Sequence, residues 1–307
     1  MIHVETPLLE NAQLNRQTGK QLLFKMECYQ PVGSFKARGV GALCEQAQRE
    51  GYTQLITSSG GNAGYAAAYS GRKLGVDVTV VVPESTSEMA KSRMLAEGAT
   101  VIVHGAVWDE ANEYAMELLA ERNEAFFVHP FDHETIWQGH STLVDELVTQ
   151  IDGKPDAIVV AVGGGGLLVG VLEGMHRHGW EDVPVLAVET KGADSFAQSV
   201  AARQLVTLPA ITSIATTLGA RTVTPRLMDW SKQHDIRPIV VSDADAVHAS
   251  LQFADDMRVV TEPACGAALS LCYANAHYLD KFERVIMVVC GGAGITYDGL
   301  VKLSASL

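Results

Sequence analysis

The sequence predicts an α/β protein with two parallel-sheet, three-layer domains. Strand-like and helix-like stretches alternate along the chain, which is the pattern of parallel sheets covered by helices. The stretches at 158–162, 185–188, 239–241 and 285–289 are almost purely apolar, as strands buried on both faces are. The strands are too many for one comfortable sheet, and 307 residues suit one large or two modest α/β domains. Residues 1–39 plus 140–307 therefore read as a larger domain, and 40–139 as a smaller one inserted into it.

Up to Glu5-Thr6-Pro7-Leu8 there is no strong periodicity; the first strand is Gln21-Leu22-Leu23-Phe24-Lys25-Met26. A helix then runs to about residue 50. Val40, Leu43 and Ala47 follow Phe35 and Lys36 at roughly helical spacing, and Ser34 can cap it through its hydroxyl. Strands at 55–57, 78–82, 100–103 and 126–128 alternate with helices at 63–74, from the Ser85/Glu88 capping box to 97, and at 108–122. A second block follows the segment Ile136-Trp137-Gln138-Gly139-His140, with a helix from about 142 to 150 and then the four apolar strands. Ser242 with Asp245 resembles a capping box, and Pro263 suits the first turn of a helix over 264–278.

Composition excludes several classes. A net charge of −13 argues against a sequence-independent nucleic-acid surface. The longest apolar run, 157–172, holds five glycines and is too short for a membrane span. Cys28, Cys44, Cys265, Cys272 and Cys290 are odd in number and form no C-x-x-C pair, which suits reduced thiols in a cytoplasmic protein. The histidines show no metal-ligand spacing, and His140 is expected to be a satisfied polar group. No G-x-S-x-G elbow is present.

Four stretches carry chemistry. Pro31-Val32-Gly33-Ser34-Phe35-Lys36-Ala37-Arg38-Gly39 sets one lysine between a glycine turn and a helix start. A buried amine there can act as nucleophile or base; the plain alternative is a surface lysine lying across Phe35. Gly163-Gly164-Gly165-Gly166 links an apolar strand to a helix, and its amides suit a phosphate. A tight turn would need fewer glycines. Thr57-Ser58-Ser59-Gly60-Gly61-Asn62-Ala63-Gly64 repeats the arrangement with hydroxyls suited to a carboxylate and an amide suited to a ligand oxygen. Cys290, before Gly291-Gly292-Ala293-Gly294, ends a core strand and offers a weak, neutral hydrogen-bond partner. Glu189, at the end of the next strand, allows a dinucleotide alternative, but Leu168 stands where that fingerprint needs its third glycine.

A lysine amine, a phosphate cradle, a carboxylate cradle and a weak ring-nitrogen partner suit pyridoxal phosphate. The segments PVGSFKARG, SSGGNAG, IWQGH, AVGGGGLL, AVET with KGADSF, EPACGAA and VVCGGAG follow one another from about Thr6 to Gly294. With them the chain resembles the fold type II (tryptophan synthase β-like) pyridoxal-phosphate enzymes, and within these the serine/threonine dehydratases of the animal-liver type. The resemblance implies that Lys36 is the Schiff-base lysine and proton-transferring base, with Phe35 on one ring face and Asn62 on the 3-oxygen. It implies Gly163, Gly164, Gly165 and Gly166 on the phosphate, Cys290 at the ring nitrogen, and Ser59, Gly60, Gly61 and Asn62 on the substrate carboxylate. It further implies a monovalent cation, usually potassium, held by Glu189 and by the carbonyls of Gly163, Ala193, Leu218 and Ala220, and a homodimer acting on a small L-amino acid. Thr217 stands where these enzymes commonly carry alanine against the ring's other face. Gly60 stands where the most active members tend to have alanine, and where related racemases carry a serine. Both departures bear on rate and substrate preference. Other fold type II lyases or synthases, a nicotinamide-dependent oxidoreductase and a non-catalytic binding module are the competing readings.

Overall fold

In a computed structural model describing residues 1–307, the strands divide between two sheets. The larger contains β1 (Leu8–Glu10), β2 (Gln21–Lys25), β7 (Ala157–Ala161), β8 (Val185–Thr190), β9 (Ile236–Val241) and β10 (Arg284–Val288). The smaller contains β3 (Gln54–Thr57), β4 (Asp77–Val82), β5 (Thr100–Val103) and β6 (Ala125–Phe127). Strand order is β1-β2-β10-β7-β8-β9 in one and β5-β4-β3-β6 in the other. All pairings are parallel except β1 with β2. Ile286 of β10 pairs with Leu23 on one side and Ile158 on the other. These central residues are fully buried, which explains why their strands are apolar without alternation.

The helices are α1 (Ala12–Thr18), α2 (Lys36–Arg49), α3 (Asn62–Leu74), α4 (Glu88–Ala96), α5 (Trp108–Ala120), α6 (Glu134–Gln150), α7 (Gly166–Arg177), α8 (Ser195–Ala202), α9 (Pro225–Trp230), α10 (Asp243–Met257), α11 (Pro263–Leu269) and α12 (Tyr297–Ser306). Helix α2 carries the chain from the larger sheet to the smaller, and α6 carries it back. Positions 39/40 and 139/140 lie inside these two helices, which touch through glycine. A Cβ on Gly139 would stand 2.6 Å from the Arg38 carbonyl oxygen and 2.8 Å from the Gly39 Cα.

Several expectations need correction. The segment before β2 is structured: Asn11 caps α1 by accepting from the amides of Gln13 and Leu14, and Gly19 ends it with φ 69°. Ser34 does not cap α2; its hydroxyl is buried without a partner, because its backbone is bridged to Gly291. Ser87, not Ser85, caps α4, after a turn closed from Thr86 N to Pro83 O. Helix α6 begins at Glu134, not near 142, because the His133 ring accepts from Thr135 N (3.1 Å), an N-cap that the usual residue preferences omit. The helix expected over 264–278 stops at Leu269 and continues as 3-10 turns. There the Ser270 hydroxyl donates to Ala267 O and accepts from Asn275 Nδ2, so side chains compete with the helical ladder. Ser242 caps α10 by accepting from the Asp245 amide, and Pro263 opens the first turn of α11, both as expected.

A buried ionic network fixes the start of α2. Arg38 donates to Glu27 (2.7 Å from both Nε and Nη2) and to Glu146 (2.6 and 2.7 Å), while Lys25 donates to Glu146 at 2.5 Å. Arg38 and Lys25 are fully buried, and their charges are tolerated because they are saturated with partners. The network ties β2, α2 and α6 together two residues from Lys36.

Candidate active site

The chemistry-bearing loops all follow the C-terminal ends of strands, the edge where ligands of open α/β sheets bind. From the larger sheet come the loops after β2 (leading to Lys36), β7 (Gly163 to Gly166) and β10 (Cys290 to Gly294), and Glu189 stands at the C-terminal end of β8 itself. From the smaller come those after β3 (Ser59 to Asn62) and β6 (His129 to Asp132).

The Lys36 loop is fastened to the loop after β10. Phe35 N donates to Cys290 O (3.1 Å), and Gly292 N donates to Gly33 O (2.9 Å). The Lys36 amine donates to Pro130 O (2.5 Å) and lies 5.0 Å from the Phe35 ring centroid. Burial lowers its pKa to about 8. No carboxylate forms an ion pair with Lys36.

The glycine run is crowded on both sides. A Cβ on Gly164 would stand 2.4 Å from the Phe131 ring, and one on Gly163 would stand 3.2 Å from the Leu218 Cα. Gly165 has φ 90°, and α7 starts with no side-chain cap, so its first-turn amides remain free for an anion. Thr224 N donates to Gly164 O (2.9 Å) and Thr224 Oγ1 to Asp132 (2.6 Å). The Pro130–Asp132 stretch thus connects the amine to the phosphate cradle. It was not foreseen from the sequence, because it acts through a carbonyl and a ring and carries no glycine signal.

At the other cradle, α3 also begins without a side-chain cap. Ser58 turns its hydroxyl away to Asn112 (2.7 Å), leaving Ser59, Gly60 and Gly61 along the loop. The space beside Gly60 is taken by Thr86, whose Oγ1 would lie 2.6 Å from a Cβ there. Asn62 donates from Nδ2 to Glu262 (3.0 Å) and accepts from Ala293 N (2.9 Å). Thr217 also donates to Glu262 (2.7 Å). Glu262, buried at the N-cap of α11, is the acidic group that sequence reasoning missed. Its motif EPACGAA was visible, but its 200-residue separation from Asn62 hid the contact.

Cys290 lies just past β10 beside Cys265; the neighbouring thiol and burial push its pKa up, so it stays neutral. Glu189 is fully buried and accepts from the amides of Phe196 (2.9 Å) and Ala197 (2.7 Å); burial raises its pKa to about 8. Held inside, it is not free to meet a ribose, which removes the support for a dinucleotide site. Gly163 packs on Leu218, the Ala220 carbonyl accepts from Ser195 Oγ (3.1 Å), and Ala193 closes the turn after β8 through its amide to Thr190 O (2.9 Å). His140 is not the satisfied polar group expected. It is fully buried, neither ring nitrogen has a partner, and its ring lies 5.0 Å from that of Phe35. No group of three or more His, Cys, Asp or Glu side chains could hold a metal ion. No helix is long and apolar enough to cross a membrane.

A desolvated lysine, an uncapped glycine-rich helix start and a neutral thiol at one sheet edge define an α/β enzyme built around a phosphorylated carbonyl cofactor. The chain belongs to the family of pyridoxal-phosphate dependent enzymes, which it matches over residues 1–291. It is 46% identical to a serine dehydratase-like protein of Rattus norvegicus, over 99% of this chain and 95% of that one. It is 43% identical to the L-serine dehydratase of Dictyostelium discoideum, over 100% and 93%. A fungal L-serine ammonia-lyase from Rhizomucor miehei superposes with a TM-score of 0.93 at 39% identity, covering 98% of each chain. The residues present fit the family's cofactor: free amides suit its phosphate, and an amine without a competing carboxylate suits its aldehyde.

Proposed function

We propose that this chain is an ammonia-lyase converting L-serine or L-threonine to pyruvate or 2-oxobutanoate and ammonia. The observation that carries it is the buried Lys36 amine, joined through Pro130 and Phe131 to the uncapped start of α7. The named relatives supply the substrate class.

Lys36 is the residue to which the cofactor is joined, with its phosphate on Gly163, Gly164, Gly165 and Gly166. Phe35 and Thr217 would flank its two ring faces, Asn62 would meet its 3-oxygen, and Cys290 would face its ring nitrogen. When bound, pyridoxal phosphate supplies an electron-withdrawing ring that acidifies the substrate's Cα proton. Ser59, Gly60, Gly61 and the free amides opening α3 orient the substrate carboxylate. The Lys36 Nζ, desolvated enough to be partly neutral near pH 8, takes the Cα proton. The neutral Cys290 thiol donates no proton to the ring, which favours elimination over transamination. A monovalent cation, potassium first, would be held by Glu189 and the carbonyls of Gly163, Ala193, Leu218 and Ala220. The enzyme works as a cytoplasmic homodimer; its five free cysteines suit a reducing compartment. Residues 1–39 with 140–307 form the larger, cofactor-binding domain, and 40–139 the smaller.

The test is keto-acid release over a panel of L-amino acids, together with borohydride reduction and peptide mapping. Serine or threonine should be turned over, the reduced cofactor should sit on Lys36, and Lys36→Ala should lose at least about a thousand-fold in rate. Reduced cofactor on another lysine, or turnover of neither amino acid, would refute the reading.

A further inference from the structure

Glu262 is a buried carboxylate with no lysine or arginine paired to it. It accepts three hydrogen bonds instead. Oε2 takes Asn62 Nδ2 (3.0 Å) and Thr217 Oγ1 (2.7 Å), and Oε1 takes the amide of Gly294. The donors come from the start of α3, the 3-10 turn Thr216–Leu218 and the loop after β10. The glycines of that last loop make room for it. A Cβ on Gly292 would stand 2.2 Å from the Glu262 Cδ, and one on Gly294 would stand 2.7 Å from Oε1.

Two consequences follow from which groups donate. Asn62 accepts from Ala293 N (2.9 Å) on one side and donates to Glu262 on the other, so its amide has one permitted orientation. Flipped, it would set donor against donor and acceptor against carboxylate. One Nδ2 hydrogen remains uncommitted. Thr217 spends its hydroxyl on Glu262, and its methyl faces the carboxylate cradle, where a Cβ on Gly61 would meet Cγ2 at 3.9 Å. The threonine then offers the site an apolar face, as an alanine would.

We propose that Glu262 is a positioning residue: it aims an Asn62 N–H at the cofactor's ring oxygen and withdraws the Thr217 hydroxyl from the cofactor's face. This rests on the proposed cofactor placement. Asn62 and Thr217 share Oε2, so a glutamine could keep both through its amide oxygen and lose only the Gly294 amide; Glu262→Met keeps the side chain's length and removes both acceptors.

The test is made on holoenzyme and on dialysed protein titrated with pyridoxal phosphate. A donor to the ring oxygen favours its ionised, long-wavelength form. Glu262→Met should therefore lower the ratio of the long- to the short-wavelength cofactor band and raise the cofactor Kd by about ten-fold, the scale of one charge-assisted bond. In an Asn62→Ala background the same substitution should leave the band ratio unmoved and change Kd less than in the wild-type background. A wild-type spectrum in Glu262→Met, or equal effects with and without Asn62, overturns the proposal. If Glu262→Met does not fold by circular dichroism, a crystal structure of wild-type holoenzyme decides. Asn62 Nδ2 bonded to both Glu262 and the ring oxygen upholds the proposal, and Glu262 turned away from Asn62 overturns it. Failure of the cofactor assignment itself is separate: the wild-type protein would then bind no pyridoxal phosphate.

Discussion

Lys36 shows what burial does to a single side chain. Burial disfavours its charged form and brings the pKa down from 10.5 to about 8. Only the neutral amine attacks a carbonyl, so at pH 7 about a tenth of the protein is competent, against well under a thousandth for an unperturbed lysine. The rate at which dialysed protein takes up pyridoxal phosphate should rise with pH and level off above about 8; a rise continuing past 10 would contradict a desolvated amine. Glu189 is buried too, against two amides but no cation of the chain. Because burial disfavours its charged form and no cation of the chain offsets it, potassium should raise both activity and melting temperature relative to tetramethylammonium, and Glu189→Gln should erase the difference. Equal behaviour in the two salts would remove the ion from the site. Lys36 and Glu189 were legible because each sits beside a local signal, a glycine turn or a strand end. Glu262 and Pro130 were not, because one acts from a helix N-cap across 200 residues and the other only through its carbonyl.

At the level of elements, the glycine-bearing stretches after β3 and β7 were readable as strand-to-helix turns, since consecutive glycines have few other uses. The path between the sheets was harder to see. The start of α6 depends on the His133 ring as cap, and the α2–α6 crossing depends on Gly39 meeting Gly139, two glycines that look like weak helix residues. In the fold they permit the closest approach between the two connecting helices. Gly139→Ala gains helix propensity, yet its Cβ would fall 2.6 Å from the Arg38 carbonyl oxygen and 2.8 Å from the Gly39 Cα, both backbone atoms. Overpacking should win: we expect a loss of about 2 kcal/mol, seen as a melting temperature lower by roughly 3 °C. An unchanged or higher melting temperature would show that the helices do not cross there.

For the whole molecule, the two sheets are joined covalently only through α2 and α6, and otherwise by contacts across the cleft such as Asn62 with Glu262 and Ala293, Thr224 with Asp132, and Arg221 with Asp109. The Arg221–Asp109 pair is exposed and adds little. The cofactor, on the proposed placement, touches Asn62 from the smaller sheet and Gly163 to Gly166 and Cys290 from the larger, so it acts as a further tie between them. Binding to the folded state alone, at a hundred-fold excess over Kd, adds about 2.7 kcal/mol, or roughly 4 °C in a chain of this size. The distribution of that gain is the sharper expectation. Strands β7 and β10 are buried within the larger sheet whether or not the cofactor is present. The loops at 58–62, 129–132, 216–218 and 290–294 are held by scattered single bonds such as Asn62 with Ala293, Thr224 with Asp132 and Thr217 with Glu262. Removing the cofactor should therefore speed amide hydrogen exchange in those four loops and in the first turn of α3, while β7 and β10 exchange as before. A uniform increase over both sheets would mean that the cofactor supports the fold as a whole, and a change confined to the Gly163–Gly166 loop would mean that it belongs to the larger sheet alone.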